Sequence, residues 1–327
     1  MKSKLLDDAD RIMRRQGKAR STRKTYRTHL ESLLKWGRWK HGNWVHPRDL
    51  GKDGVENWLS DLANIKNVAP TTQNCALQAA LYLFKEVLKT PLEGIDALRA
   101  KRPQRLPVVL SVQEVQKILA GLNGRNLLLA SLLYGSGLRI GEAISLRLKD
   151  LDFDRRQITV RGAKGAKDRV VQMARRLMDD LLHQVAQAKR LHEHDTRQGC
   201  CRVELPYRYA EKNPAAAASL GWYWVFPSHK LSRHPDEGWT GRFHINESNF
   251  GRSLGIVARK SLIFKPCSPH KLRHAFSTHA HEAGMPLASL QKLLGHADLR
   301  TTQIYLHASA DGATAETSPL DRLPRIA

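Results

Sequence analysis

The sequence predicts a mainly α fold with a small antiparallel sheet, divided into two domains. Three observations lead there. Apolar residues recur at helical spacing through the first part of the chain. A basic stretch with two prolines, LRAKRPQRLPVVLS, then interrupts the pattern at Leu98–Ser111. Beyond it, helical periodicity resumes and is broken once by a short alternating stretch around Gly-Ala-Lys-Gly.

In STRKTYRTHLESLLKWGRWK, Tyr26, Leu30, Leu33, Leu34 and Trp36 fall on or near one stripe, with cations opposite. PTTQNCALQAALYLFKEVLK repeats the pattern through Leu77, Ala80, Leu81, Phe84 and Leu88. These stripes predict a helical domain over 1–97. Residues 98–110, with Pro103 and Pro107, read as a linker. The second domain, 111–327, opens on a capping signature, Ser111 with Glu114. NLLLASLLYGSGLRIGEAISLRLKDLDF reads as a buried helix, a glycine turn at Gly135–Gly137 and a second helix starting near Arg139. QITVRGAKGAKDRVVQM reads as a β-hairpin with Lys164 at its tip. Over residues 192–245 the pattern breaks up into an alanine run, WYWVFP and RHPDEGWTGRFH. WYWVF alternates in strand fashion, which predicts one buried face.

The chain has 327 residues, enough for two domains and a sizeable core. Lys and Arg number 54 against 31 Asp and Glu, a formal charge of +23. Without a long apolar run, this excess points to a polyanionic partner, most simply nucleic acid, and away from a membrane. The opening MKSKLLDDADRIMRRQG lacks the apolar core of a signal peptide, which predicts a cytoplasmic protein. Cys75, Cys200, Cys201 and Cys267 form no C-x-x-C pair. LHEHDTRQGCC offers His192, His194, Cys200 and Cys201 as metal ligands. Adjacent cysteines fit one tetrahedral site poorly, and the spacing matches no zinc pattern. In HEAGM, Met285 stands where an H-E-x-x-H motif needs its second histidine. Neither a Walker loop nor a dinucleotide fingerprint occurs. The expectation is therefore no metal and no cofactor.

SPHKLRHAFSTHAHEAG, Ser268–Gly284, raises a sharper question. Ser268-Pro269 is a helix start, and Gly284 with Pro286 is a stop. Helical spacing puts His270, Arg273, His274, Ser277 and His281 on one face. Leu272, Ala275, Phe276, Ala280 and Ala283 take the other, which reads as the buried side. His270 and Arg273 lie in the first turns, where free N–H groups and the helix dipole favour an anion. A solvated charged face remains the alternative for this helix alone. Further polar residues sit at punctuated positions: Arg139 after the glycine turn, Lys164 on the hairpin, His296 after LQKLLG, and Tyr305 in TTQIYLH. Singly, each also has an ordinary structural reading.

Taken in order, GSGLRIGEAISL, RGAKGAKDRV, PHKLRHAFSTH and LLGHADLRTTQIY resemble the tyrosine recombinases, also called the phage integrase family. The resemblance spans residues 111–307, and the first domain fits the family's helical, SAM-like core-binding domain. It implies a two-domain clamp around DNA, a homo-tetramer on its sites, and site-specific recombination. It carries six residues over as catalytic. Tyr305 attacks phosphorus and leaves a 3′-phosphotyrosine with a free 5′-hydroxyl. Arg139 and Arg273 donate to the non-bridging oxygens. His270 hydrogen-bonds the phosphate or takes the tyrosine proton. Lys164 protonates the departing oxygen, and His296 donates to a non-bridging one. Glu142, one turn after Arg139, either orients an arginine or serves the fold.

RAKRPQRLPVVLS, the segment through LPYRYAEKNPAAAASLGWYWVFPS and the tail SPLDRL are similar to the integron integrases in particular. That implies integration and excision of gene cassettes at folded single-strand hairpin sites and duplex sites. It also implies an additional segment, here residues 192–245, whose rings stack on protruding bases. Trp222, Trp224 and His244 are the candidates, with a hydrophobic core under a loop as the alternative. GRFH and the stretch ASADGATAET depart from the more basic runs of that subfamily. Rival readings are a phage or Xer-type recombinase acting on duplex sites, a type IB topoisomerase, and a DNA-binding protein without catalysis.

Overall fold

The computed structural model describes residues 3–95, 108–162, 168–206, 209–295 and 319. The chain divides into two compact units, Met1–Arg105 and Leu106–Ala327.

The first unit is helical: α1 (Lys4–Arg15), α2 (Arg20–His41), α3 (Pro47–Asn64) and α4 (Pro70–Tyr82), which runs on into a π-helical turn at Leu83–Val87. Pro47 and Pro70 open their helices, where a missing N–H leaves no bond unmade. The predicted stripe of α2 becomes core. Leu30, Leu33, Leu34 and Trp36 are buried against Trp58 and Leu59 of α3 and Ala80 and Phe84 beyond, while Tyr26 is half-buried. Each such large apolar side chain contributes about 1.5–3 kcal/mol on burial. Trp36 keeps its polar edge satisfied, donating to Asp61 at 2.7 Å. Arg23–Asp10 and Arg27–Asp7 pairs tie α2 to α1.

The second unit holds α5 (Val112–Ala120), α6 (Gly124–Ser136), α7 (Ile140–Ile144), and strands β1 (Leu151–Asp152), β2 (Gln157–Val160) and β3 (Arg169–Gln172). It continues with α8 (Met178–Arg197), α9 (Tyr209–Lys212), the β4 (Pro227–Arg233) and β5 (Thr240–His244) pair, α10 (Glu247–Lys260), α11 (Pro269–Glu282) and α12 (Leu287–Leu294). The capping box is formed: Ser111 N–H donates to Glu114 at 2.7 Å and Glu114 N–H donates to the Ser111 hydroxyl at 3.2 Å. The sheet is antiparallel in the order β1-β2-β3, with Ile158 opposite both Leu151 and Val171. Ile158, Val160 and Val171 face the core. There, α6 and α11 pack together through residues such as Leu129, Leu133, Leu272 and Phe276. The turn after α6 needs its glycine. Gly137 has φ 62°, and a Cβ there would lie 2.5 Å from the Phe276 ring.

One alternative falls and one expectation is corrected. α11 begins and ends where its sequence signals predicted, and the alternative of a wholly solvated polar face does not hold, although His270 is exposed. Arg273, His274 and Ser277 are buried along with Leu272, Ala275 and Phe276. The cause is tertiary: α5, α6, α10 and α12 all pack against this one helix. WYWVF does not alternate either. Tyr223, Trp224, Val225 and Phe226 are all buried, and the strand starts only at Pro227. Tyr223 and Trp224 fill a small separate core with Ala188, Val203 and Ala217, while Val225 and Phe226 join the main one. Among the described residues, no helix is long and apolar enough to cross a membrane.

Candidate active site

The site grows from the turn between α6 and α7. Arg139 sits just before α7 with extended backbone angles, in the N-cap position. Its backbone N–H donates to Glu142 Oε2 at 2.8 Å and its Nη1 donates to Oε1 at 2.8 Å. The Glu142 carboxylate closes the first turn of α7 and grips the guanidinium at once. Its role in orienting an arginine, left open by the sequence, is visible here.

Arg273 reaches the same carboxylate from α11, with Nη1 3.6 Å from Glu142 Oε2. It is buried, and its fork spans two backbone carbonyls, Gly137 at 2.6 Å and Leu294 at 2.7 Å. A third arginine, Arg169 at the start of β3, forms a two-pronged bridge to Glu142 at 2.9 and 2.7 Å. Sequence reasoning missed Arg169. Its only signal was a charged residue opening a strand inside RGAKGAKDRV, a motif already singled out for Lys164. Burial alone would push the Glu142 carboxyl up, but the Arg169 bridge and the Arg139 bonds outweigh it and hold the group at about 2. The carboxylate is therefore charged throughout the working range.

His270 lies at the exposed N-terminal end of α11, its ring 6.4 Å from that of His274. Partial desolvation, then the neighbouring cations Arg273, Lys271 and Arg139, lower its pKa. At neutral pH the ring is uncharged and able to accept a proton. Two arginines and a neutral histidine are thus brought together from the start of α7 and from α11. Lys164, His296 and Tyr305 lie outside the described residues. For two of them a neighbouring element is described: β2 and β3 bracket Lys164, and α12 ends at Leu294, with Gly295 at φ 63° immediately before His296.

The ring candidates separate. Trp224 is a core residue, 4% exposed, donating from Nε1 to the Arg242 carbonyl at 3.0 Å. The Arg147 guanidinium lies 3.1 Å from its ring centroid. Its other neighbour is His244, edge-on at 5.0 Å. A base has no access to this tryptophan, because the Arg147 side chain and β5 cover it. Trp222 is half-buried, with the Lys149 ammonium 2.9 Å from its ring centroid and Tyr209 5.0 Å away. His244 is half-buried, and its Nδ1 bonds the Ile245 carbonyl at 2.8 Å. His192 bonds the Ala218 carbonyl at 2.9 Å and packs edge-on against Tyr223. Among the described residues, no group of three or more His, Cys, Asp or Glu is placed to hold a metal ion.

The model of the phage integrase family matches residues 108–311, and that of the phage integrase N-terminal SAM-like domain matches residues 5–94. The chain belongs to the phage integrase family. It is a tyrosine site-specific recombinase by enzyme class. An Escherichia coli protein called integrase/recombinase is 41% identical over 282 residues, covering 86% of this chain and 84% of that one. Tyrosine recombinase XerD of Brucella suis biovar 1 is 30% identical, covering 89% of this chain and 88% of its own. The structure of the Tn1549 transposon integrase in complex with a circular intermediate DNA matches with a TM-score of 0.62 at 18% identity, over 94% of this integrase and 96% of that one. At that identity the likeness concerns the fold.

Proposed function

We propose that this integrase cuts and rejoins DNA by transesterification, using Tyr305 as nucleophile. The tyrosyl oxygen bonds to phosphorus and the bond to the 5′-oxygen breaks. His270 takes the tyrosine proton, and Lys164 gives one to the departing 5′-oxygen. Arg139, Arg273 and His296 stabilise the charge on the non-bridging oxygens. The 3′-phosphotyrosyl link retains the bond energy, so a 5′-hydroxyl of another strand rejoins without a further energy source. The observation that carries this reading is the convergence of Arg139 and Arg273 on one carboxylate beside a neutral His270. Residues 1–97 and 111–327, joined by the 98–110 linker, would each contact the DNA, in a homo-tetramer.

The finer reading is integration and excision of gene cassettes at folded hairpin sites. It is supported by the segment at 192–245, which has its own small core, and by Trp222, half-buried beneath the Lys149 cation. The burial of Trp224, and relatives named XerA and XerD, favour a second reading, a recombinase of duplex sites.

The test is to trap the covalent complex on a folded cassette-site strand and on its duplex form. Adduct chiefly on the folded strand supports the cassette reading, and adduct chiefly on the duplex supports the second. Tyr305→Phe should bind DNA and form no adduct, and a normal yield from it would remove Tyr305 from its role. Binding without any adduct would leave a DNA-binding protein.

A further inference from the structure

We infer that Arg169 is a positioning residue of the active site, joining the β2–β3 hairpin, the Glu142 carboxylate and the end of α12 into one geometry. Three bonds make that junction. Nη1 and Nη2 donate to the two Glu142 oxygens at 2.9 and 2.7 Å, and Nε donates to the Leu293 carbonyl at 2.8 Å. The side chain is 8% exposed. Its stem packs against Gly295, where an added Cβ would come 3.1 Å from Arg169 Cδ.

Each end of the junction adjoins a candidate catalytic residue. Glu142 grips Arg139. Leu293 and Gly295 close the helix that precedes His296. Arg169 opens the strand that follows Lys164 in the sequence. The planar fork reaches both carboxylate oxygens and the carbonyl from three separate nitrogens at fixed spacing, which the single nitrogen of a lysine does not reproduce.

The charge count adds a second role. Arg139, Arg169 and Arg273 surround one carboxylate, so two positive charges remain for a phosphate. Arg169 alone offsets the Glu142 charge through both oxygens, so Arg139, which also donates to Oε1, and Arg273, 3.6 Å from Oε2, keep net positive charge for the substrate. Without Arg169, the cations left beside Glu142 among the described residues would be Arg139 at the start of α7 and Arg273 on α11, with the neutral His270 also on α11. Its carboxyl would then move back up toward the ordinary range.

This inference rests on the cleavage reading above, so one readout is independent of cleavage. Arg169→Gln and Arg169→Lys are compared with wild type on a suicide DNA substrate at saturating protein, with DNA affinity and melting temperature measured alongside. Arg169→Gln should lower the single-turnover rate at least tenfold while affinity changes less than about threefold, as expected for an effect confined to the transition state. Its pH–rate profile should gain an acid limb. Arg169→Lys keeps a cation beside Glu142 and should show an intermediate rate without that limb. Independently of activity, the Arg139 backbone amide resonance, which reports its bond to Glu142, should titrate in mildly acidic solution in Arg169→Gln and not in wild type. An unchanged rate would overturn the proposal. So would a rate loss matched by lost affinity and stability with a parallel pH profile, or an Arg139 amide that titrates alike in both proteins.

Discussion

Arg273 donates to the Leu294 carbonyl at 2.7 Å, and the other prong of its fork reaches the Gly137 carbonyl at 2.6 Å. One guanidinium thereby ties the C-terminal ends of α6 and α12 together while standing beside Glu142. Arg139 is built differently, with a side chain 31% exposed whose guanidinium, among the described residues, bonds Glu142. Arg139→Lys and Arg273→Lys should each lower cleavage by on the order of a hundredfold or more, since both lose paired donors to the transition state. Only Arg273→Lys should also lose stability, by about 1–3 kcal/mol, because it strands a buried carbonyl. Adduct formation and urea denaturation measure the two effects. Equal stability losses would show that Arg273 is no more structural than Arg139.

Trp224 and Trp222 stand two residues apart and should behave oppositely. Trp224→Ala empties a core position under Arg147 and should cost about 3–5 kcal/mol of stability. It should weaken binding to hairpin and duplex DNA alike. Trp222→Ala should weaken binding to a hairpin with protruding bases by about 1–3 kcal/mol for each base that no longer stacks. A fully paired site should be little affected, and deleting the protruding base should abolish the penalty. Equal losses on both substrates, with a lowered melting temperature, would assign Trp222 to the core as well.

What the sequence revealed was local. The α2 stripe, the Ser111–Glu114 box, the β2–β3 hairpin and the Ser268-Pro269 start depend on residues within a few positions of one another, and all are found. The Arg139–Glu142 pair belongs with them, being three residues apart. Arg169 was illegible for the opposite reason. Its partners lie 27 residues away at Glu142 and 124 away at Leu293, so no window of sequence holds the junction. The burial of Arg273 and His274 was hidden likewise. A helix with a polar face looks solvated until the helices that surround it are known.

Asp195 is the keystone of the 192–245 segment. It is fully buried, accepts two bonds from Arg242 at 2.6 and 2.7 Å, and accepts one from the Tyr223 hydroxyl at 2.7 Å. Asp195→Asn leaves the Arg242 charge buried without its counter-ion and should cost about 3–5 kcal/mol. The loss should be local. Hydrogen exchange should rise in β4, β5 and the end of α8, while α6 and α11 stay protected. Uniform loss of protection would mean that the segment folds as one piece with the main core.

The last prediction concerns acid. Burial first, and then the charge of Lys271, lower the His274 pKa from 6.5 to about 4. An unfolded chain takes up this proton near the ordinary value, and the folded one does so only near 4. Between those values the unfolded state binds more protons, so stability falls as pH falls. The contribution is complete above the unfolded pKa and is lost progressively down to the folded one, amounting to about 3 kcal/mol for His274. His279, buried against Tyr134 on the same helix, is lowered as well and acts in the same direction. Urea midpoints measured at neutral pH and at about pH 5 should therefore differ in the wild type, and His274→Asn should shrink the difference. Glu142 and Asp195 carry depressed carboxyl pKa values, so their stabilisation is lost only in stronger acid. An acid sensitivity that His274→Asn leaves unchanged would place its origin in groups other than His274. A sensitivity confined to pH values below about 4 would place it in those carboxylates.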